Sequence, residues 1–185
     1  QPTLTCSFNT ILPMSSGQYL WDQLLIPHWS ILVDPPIYNI GLAQSRYAIV
    51  SCVDREDCLS LKNSSSDKVF FFPHAIEREL NGEGHKEKKY EVVFIGSCYD
   101  YEGLRENWRE HHNEDINNLL DTAIEFVLAD GSTSIAEALV KAWNRSTISS
   151  EGLDFSTLFY YVDYYTRGRE RVELIRAIKN TPIHV

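Results

Sequence analysis

The sequence predicts an α/β protein, with a mostly parallel sheet flanked by helices and a helical C-terminal half, and three observations carry the prediction. In the first half, short runs that are apolar on both faces alternate with turn residues and short helix-like segments. The connections between those runs are about ten residues or longer, too long for hairpins and suited to crossovers between parallel strands. From about residue 102 onward, apolar residues recur at three- and four-residue spacing, the period of an amphipathic helix.

The elements follow in order. Residues 3–8 form the first strand, and Ser16-Gly17 opens a short helix over 18–25. The second strand, 29–33, is ended by Asp34-Pro35-Pro36, and a further short helix is expected over 37–43. The run YAIVSCV, 47–53, is the third strand; Asp54 after it is a good N-cap for a helix over 55–62. A polar turn at 63–67 leads to a fourth strand, 68–72, ended by Pro73-His74. The whole sheet is expected to be covered by helices on both faces.

Residues 81–89, NGEGHKEKK, have the charged, glycine-containing composition of a linker, which sets a domain boundary near residue 85 and divides the chain into 1–85 and 86–185. A fifth strand, YEVVFIG at 90–96, restarts the pattern. Residues 102–129 are expected to be helical with a break near His111-His112-Asn113. Ser134 and Glu137 make a capping-box pattern for a helix to Trp143, and a loop spans 144–152. The last helix begins near Asp154, with Gly168 as a kink or break, and Pro182 precedes a terminal strand.

Composition excludes several functions. The chain has 185 residues, 43% of them apolar and 12% aromatic, which is too apolar for a disordered protein. Its net charge of −9 excludes a protein whose main work is non-specific binding to nucleic-acid backbones or anionic lipid. No stretch approaches the roughly 20 apolar residues of a membrane span, and the N-terminus has no basic region followed by an apolar run. Cys6, Cys52, Cys58 and Cys98 lack metal-ligand spacing and are expected to be reduced core thiols, which points to the cytoplasm. The start at Gln1 and the end within a strand-like Ile183-His184-Val185 suggest an excised fragment.

The chemistry-bearing motifs are few. There is no GxGxxG, P-loop, HExxH, GxSxG or EF-hand pattern. His111-His112 point about 100° apart on a helix and have no local partners for a metal, so no metal site is expected. The Arg167-Gly168-Arg169-Glu170-Arg171 stretch, with Arg176 beyond, is read as a solvated helix face with local ion pairs rather than an anion site. What remains lies just past the carboxyl ends of the expected strands, where α/β sheets expose side chains to ligands. Asp34 is held by two prolines, as a site carboxylate or as part of a rigid turn. His74 suits proton transfer or a ligand hydrogen bond, or is a partly buried structural histidine. Asp54 is a helix cap. Gly96-Ser97 lets backbone approach a phosphate, with the next helix offering amide donors, or is a tight turn.

The segments PHWSILVDPP, YAIVSCVD, KVFFFPHAIE, YEVVFIGSCYDYEGLR and RGRERVELIRAIKNTPIHV, in that order, resemble the landmarks of glycosyltransferase-like proteins related to the spore-maturation protein CgeB. The resemblance covers most of 29–100 and returns at 160–185. It implies a GT-B arrangement of two Rossmann-like domains facing across a cleft. Residues 1–80 would then close the acceptor-side domain, 90–96 and 182–185 would be the first two strands of the donor domain, and the helices between would connect them. It implies a nucleotide-sugar donor, an unknown acceptor, no cofactor and no metal, since positive side chains and helix amides can offset phosphate charge. It marks Asp34 and His74 as acceptor-side residues and catalytic candidates, and Gly96 and Ser97 as the donor-phosphate loop. Where many relatives carry paired aspartates before the proline, this chain has Val33-Asp34. The piece by itself is expected to be inactive.

A different class of function competes. Phe155, Phe159, Tyr160, Tyr161, Tyr164 and Tyr165 are more aromatics than one helix face buries. They serve either as a protein-interaction surface over 155–165 on a non-enzymatic α/β scaffold, or as packing against the sheet.

Overall fold

A computed structural model of the chain describes residues 3–64, 68–75, 89–149 and 153–184. The chain divides into two units, Gln1–Glu83 and Gly84–Val185. The expected linker lies outside the described residues apart from Lys89, as does the turn at 65–67.

In the first unit, four parallel strands run β1 (Thr5–Phe8), β2 (His28–Leu32), β3 (Ala48–Cys52) and β4 (Val69–Phe71), in that spatial order. Helix α1 (Leu20–Leu24) joins β1 to β2, 3₁₀ turns over Pro36–Gln44 join β2 to β3, and α2 (Arg55–Ser64) joins β3 to β4. The register places His28 beside Ala48, Ser30 beside Val50 and Leu32 beside Cys52, with Val69 and Phe71 continuing the rows. These residues share one face, because side chains alternate along a strand. On it Leu32, Ala48, Val50, Cys52 and Val69 are buried against Tyr19, Trp21, Leu42, Cys58 and Leu61 from the three connections.

The expectation of helices on both faces is corrected here. All three connections pack on the same face. The alternate residues of the strands stay partly uncovered: Phe8 is 74% exposed, Phe70 39% and Phe72 42%, with Trp29 between them at 5.7 Å from Phe70 and 5.3 Å from Phe72. The cause is topological. Parallel crossovers are almost always right-handed, so strands added successively in one direction send every connection over one side. Covering the second side needs a reversal of strand order, and β1–β4 contain none.

The buried face has a polar row as well. The His28 ring lies flat on Trp21, centroids 3.8 Å apart, with Thr5 Oγ1 2.8 Å from its Nδ1 and Ser7 Oγ 3.1 Å from its Nε2. Burial pushes the imidazole below its ordinary range, and the two hydroxyls supply the hydrogen bonds that a buried neutral ring requires.

In the second unit, β5 (Val92–Val93) pairs in parallel with β6 (Ile183–His184). The strand expected over 90–96 is two residues long among the described residues, and just past it the Phe94 N–H donates to His184 O at 2.9 Å. Between them lie α3 (Tyr101–His111), α4 (Glu114–Ala129), α5 (Ile135–Arg145) and α6 (Phe155–Ala177). The break falls at His112-Asn113, where Asn113 caps α4 by accepting from the Ile116 N–H at 3.0 Å. Ser134 likewise caps α5 through the Glu137 N–H at 3.2 Å. The helices bury Trp108, Leu120, Ala123, Ala138, Leu139 and Val162 between them.

Helix α6 runs unbroken through Gly168, correcting the expected kink. A Cβ there would sit 3.0 Å from the Tyr101 Cβ and 3.2 Å from the Tyr99 Cβ, so the glycine serves close approach of the helix to the 99–101 segment. Three aromatics of α6, Tyr161, Tyr164 and Tyr165, pack on α3 and the segment before it. Tyr165 stands edge-on to Tyr101 at 5.3 Å, Tyr161 and Tyr165 each lie 5.5 Å from Trp108, and Tyr164 lies 4.9 Å from Tyr99. Among the described residues, no helix is long and apolar enough to cross a membrane.

Candidate functional site

The carboxyl ends of β1–β4 carry, in order, Asn9, Asp34, Asp54 and His74. Asn9 takes a left-handed backbone conformation, φ 53°, which asparagine tolerates better than most residues. Its Oδ1 accepts from the Val33 N–H at 3.0 Å and the Asp34 N–H at 3.3 Å, while its Nδ2 donates to Asp34 Oδ2 at 2.8 Å. Asp34 is therefore exposed but fixed. Asp54 caps α2, its Oδ1 accepting from the Glu56 N–H at 2.7 Å.

His74 is exposed, and among the described residues it has no hydrogen-bond or ion-pair partner. The partly buried structural alternative is thereby corrected. The structure does not bring Asp34 and His74 together. Strand β3 stands between β2 and β4, so at about 4.8 Å per strand their paths are roughly 10 Å apart. Nor, among the described residues, does this sheet contain the reversal of strand order at which ligand crevices form. Two cavities in this unit lie toward the amino ends: one of about 450 Å³ is lined by Pro27, Tyr47, Ile49 and Lys68, and one of about 510 Å³ by Tyr19, Asp22, Gly41 and Ser45.

Two acidic groups beside β3 have displaced protonation. Burial, then the neighbouring Asp54 carboxylate, pushes Asp57 in the first turn of α2 up to about 6. Burial first, then the Cys58 thiol, pushes Cys52 up to about 12, so this thiol is an inert packing group. Cys58 is buried beside it, whereas Cys6 and Cys98 are exposed rather than in the core. Cys6 lies on the uncovered face of β1, which alternation puts opposite Thr5 and Ser7.

In the second unit, Gly96 and Ser97 follow β5 and are both exposed. The helix beyond them does not present a free row of amides. Asp100 caps it, Oδ1 accepting from the Gly103 N–H at 2.9 Å, and the Tyr101 and Leu104 N–H groups donate to the carbonyls of Tyr99 and Asp100. Positive charge comes from elsewhere in sequence. Arg171 of α6 donates through Nη1 to the Ser97 carbonyl at 2.8 Å, with its guanidinium 5.2 Å from the Tyr99 ring. Arg167, one turn earlier, is held by Asp163 and lies over Tyr164 at 5.5 Å.

The histidine pair splits between roles. His111 Nδ1 lies 2.7 Å from the Asn107 carbonyl, and the His112 ring stands edge-on to Tyr161 at 5.6 Å. Among the described residues, no group of three His, Cys, Asp or Glu side chains could hold a metal ion.

Asn9 and Arg171 are the residues that sequence reasoning missed. The signal for Asn9 was its place immediately after a strand. For Arg171 it was an arginine cluster judged by its own helix alone, whose neighbour lies 74 positions away. Compared with protein-family models, with curated proteins and with solved structures, the chain matches none of them.

Proposed function

We propose that these residues belong to a GT-B-like glycosyltransferase related to the CgeB family, which moves a sugar from a nucleotide-sugar donor to a separate acceptor. The observation that carries the reading is the parallel pairing of β5 with β6 across the helices α3–α6. That is the connection the resemblance implies between the first two strands of a donor domain. The parallel β1–β4 array supports a Rossmann-like reading of the first unit, with one half of a doubly wound sheet represented. In this reading Gly96 and Ser97 face the donor phosphates, and Asp34, fixed by Asn9, and His74 are acceptor-side groups. Turnover needs no metal or other cofactor, because guanidinium groups can offset the leaving-group charge.

The rival reading, a scaffold with a protein-interaction module over 155–165, loses support from the packing of the aromatics. Phe159 and Tyr165 are buried, Phe155, Tyr161 and Tyr164 are half-buried, and Tyr160 alone of the six is exposed. The test is calorimetric titration of UDP- and GDP-sugars into the protein encoded by the whole reading frame that contains these residues. Saturable binding of one donor is expected; a folded protein that binds none of them overturns the transferase reading.

A further inference from the structure

Arg171 differs from most of the arginines around it in how its charge is used; Arg169 also has no carboxylate within 4.0 Å among the described residues, but it is exposed. Arg105 and Arg109 share Asp121 at 2.7 and 2.8 Å, Arg167 pairs with Asp163, and Arg176 pairs with Glu173 at 3.1 Å. Among the described residues, Arg171 has no carboxylate within 4.0 Å. It is half-buried, and among the described residues its hydrogen bond goes to a backbone carbonyl, which leaves most of its five N–H donors for a ligand. The expectation that this stretch is merely a solvated face with local ion pairs is therefore corrected at Arg171.

Its position is also fixed. Gly168, one turn earlier, lets α6 press on the Cβ atoms of Tyr99 and Tyr101, and the Tyr99 ring lies under the guanidinium. An arginine so held has already lost much of the side-chain entropy that binding would cost, and its planar fork matches phosphate oxygens. The start of α3 cannot do this work, because Asp100 occupies the Gly103 amide and places a negative charge there.

We propose that Arg171, held at the Ser97 carbonyl, forms an anion subsite that takes the diphosphate of a nucleotide-type ligand. The inference rests on the transferase reading for the identity of the ligand, and on the Arg171–Ser97 geometry for the site. Arg171 binds here; it transfers no proton and forms no bond.

Inorganic pyrophosphate is the probe. Titrated calorimetrically into the chain, it should bind, with affinity reduced at least tenfold in Arg171→Gln and intermediate in Arg171→Lys, which keeps the charge but not the fork. Arg145→Gln, on α5, should bind as the parent does. Amide chemical shifts need no variant, and the largest pyrophosphate-induced changes should fall at residues 97–99 and around Arg171. Binding by Arg171→Gln within twofold of the parent, no binding by the parent, or shifts centred elsewhere would each overturn the subsite. Titration of UDP-glucose into the whole-frame protein separates the two ideas. If parent and Arg171→Gln bind it equally, the subsite falls and the transferase reading stands. If pyrophosphate needs Arg171 but no nucleotide sugar binds, the subsite stands and the transferase reading falls.

Discussion

Asn9 and Asp34 hold each other across the carboxyl ends of β1 and β2: the Asn9 amide accepts from the backbone behind Asp34 and donates to its carboxylate. The exchange makes Asn9 the structural member of the pair and leaves Asp34 free to serve a ligand. Asn9→Ala should cost about 2–3 kcal/mol, combining lost hydrogen bonds with a side chain ill suited to positive φ. Asn9→Gly keeps the backbone geometry and should cost about 1–2 kcal/mol. Asp34→Ala gives up one exposed contact and should cost less than about 1 kcal/mol. Urea unfolding of the three variants checks the order; an Asp34→Ala cost equal to that of Asn9→Ala would make Asp34 the structural partner.

Asp57 gives unfolding a pH dependence of defined sign. Its carboxyl titrates at about 6 in the folded chain, against about 3.9 when unfolded, so the folded state holds the proton more tightly. The stability this contributes is complete below about pH 4 and is lost as pH rises from there through 6. Because the side chain is only half-buried, solvent screening leaves a penalty of about 1 kcal/mol at neutral pH. The helix dipole, which favours a charge in the first turn, offsets only a few tenths of that. Asp57→Asn should therefore be about 1 kcal/mol more stable than the parent at pH 8, with the advantage gone by pH 4. Urea midpoints at the two pH values read it directly, and an equal difference at both would refute it.

Gly168 sets two preferences against each other. Alanine is favoured over glycine inside a helix by about 1 kcal/mol. Against that, its Cβ would press on the Cβ atoms of Tyr99 and Tyr101, which cannot swing away without moving the backbone, at a cost of about 1–3 kcal/mol. Gly168→Ala should lower Tm by a few degrees and Gly168→Val by more. A higher Tm for Gly168→Ala would show that the 99–101 segment yields freely.

What was legible in the sequence was local. The apolar runs marked β1–β4 within a residue or two, though not the end of β5, and Asp54, Asn113 and Ser134 stand at helix starts because capping is a matter of neighbouring positions. The order of strands is set by pairings between distant residues, so the one-sided cover of the sheet could not be read from apolar runs alone. The same limit hid the candidate sites. Asn9 meets Asp34 25 positions on, and Arg171 meets Ser97 74 positions back. Gly168 looked like a helix breaker because propensity scores a residue against its own helix, and its reason for being glycine lies in another segment.

The strand order of the first unit also governs how the chain can fold as it leaves the ribosome. Each of β2, β3 and β4 docks on the strand synthesised just before it, closing loops of roughly twenty residues or fewer, a modest entropic cost each time. That sheet can grow in step with elongation. Strand β5 has no such option, because its partner is made after all four helices of its unit. Its hydrogen-bonding edge therefore stays open through most of the unit's synthesis, the interval in which a nascent chain is most exposed to misassociation and to chaperones.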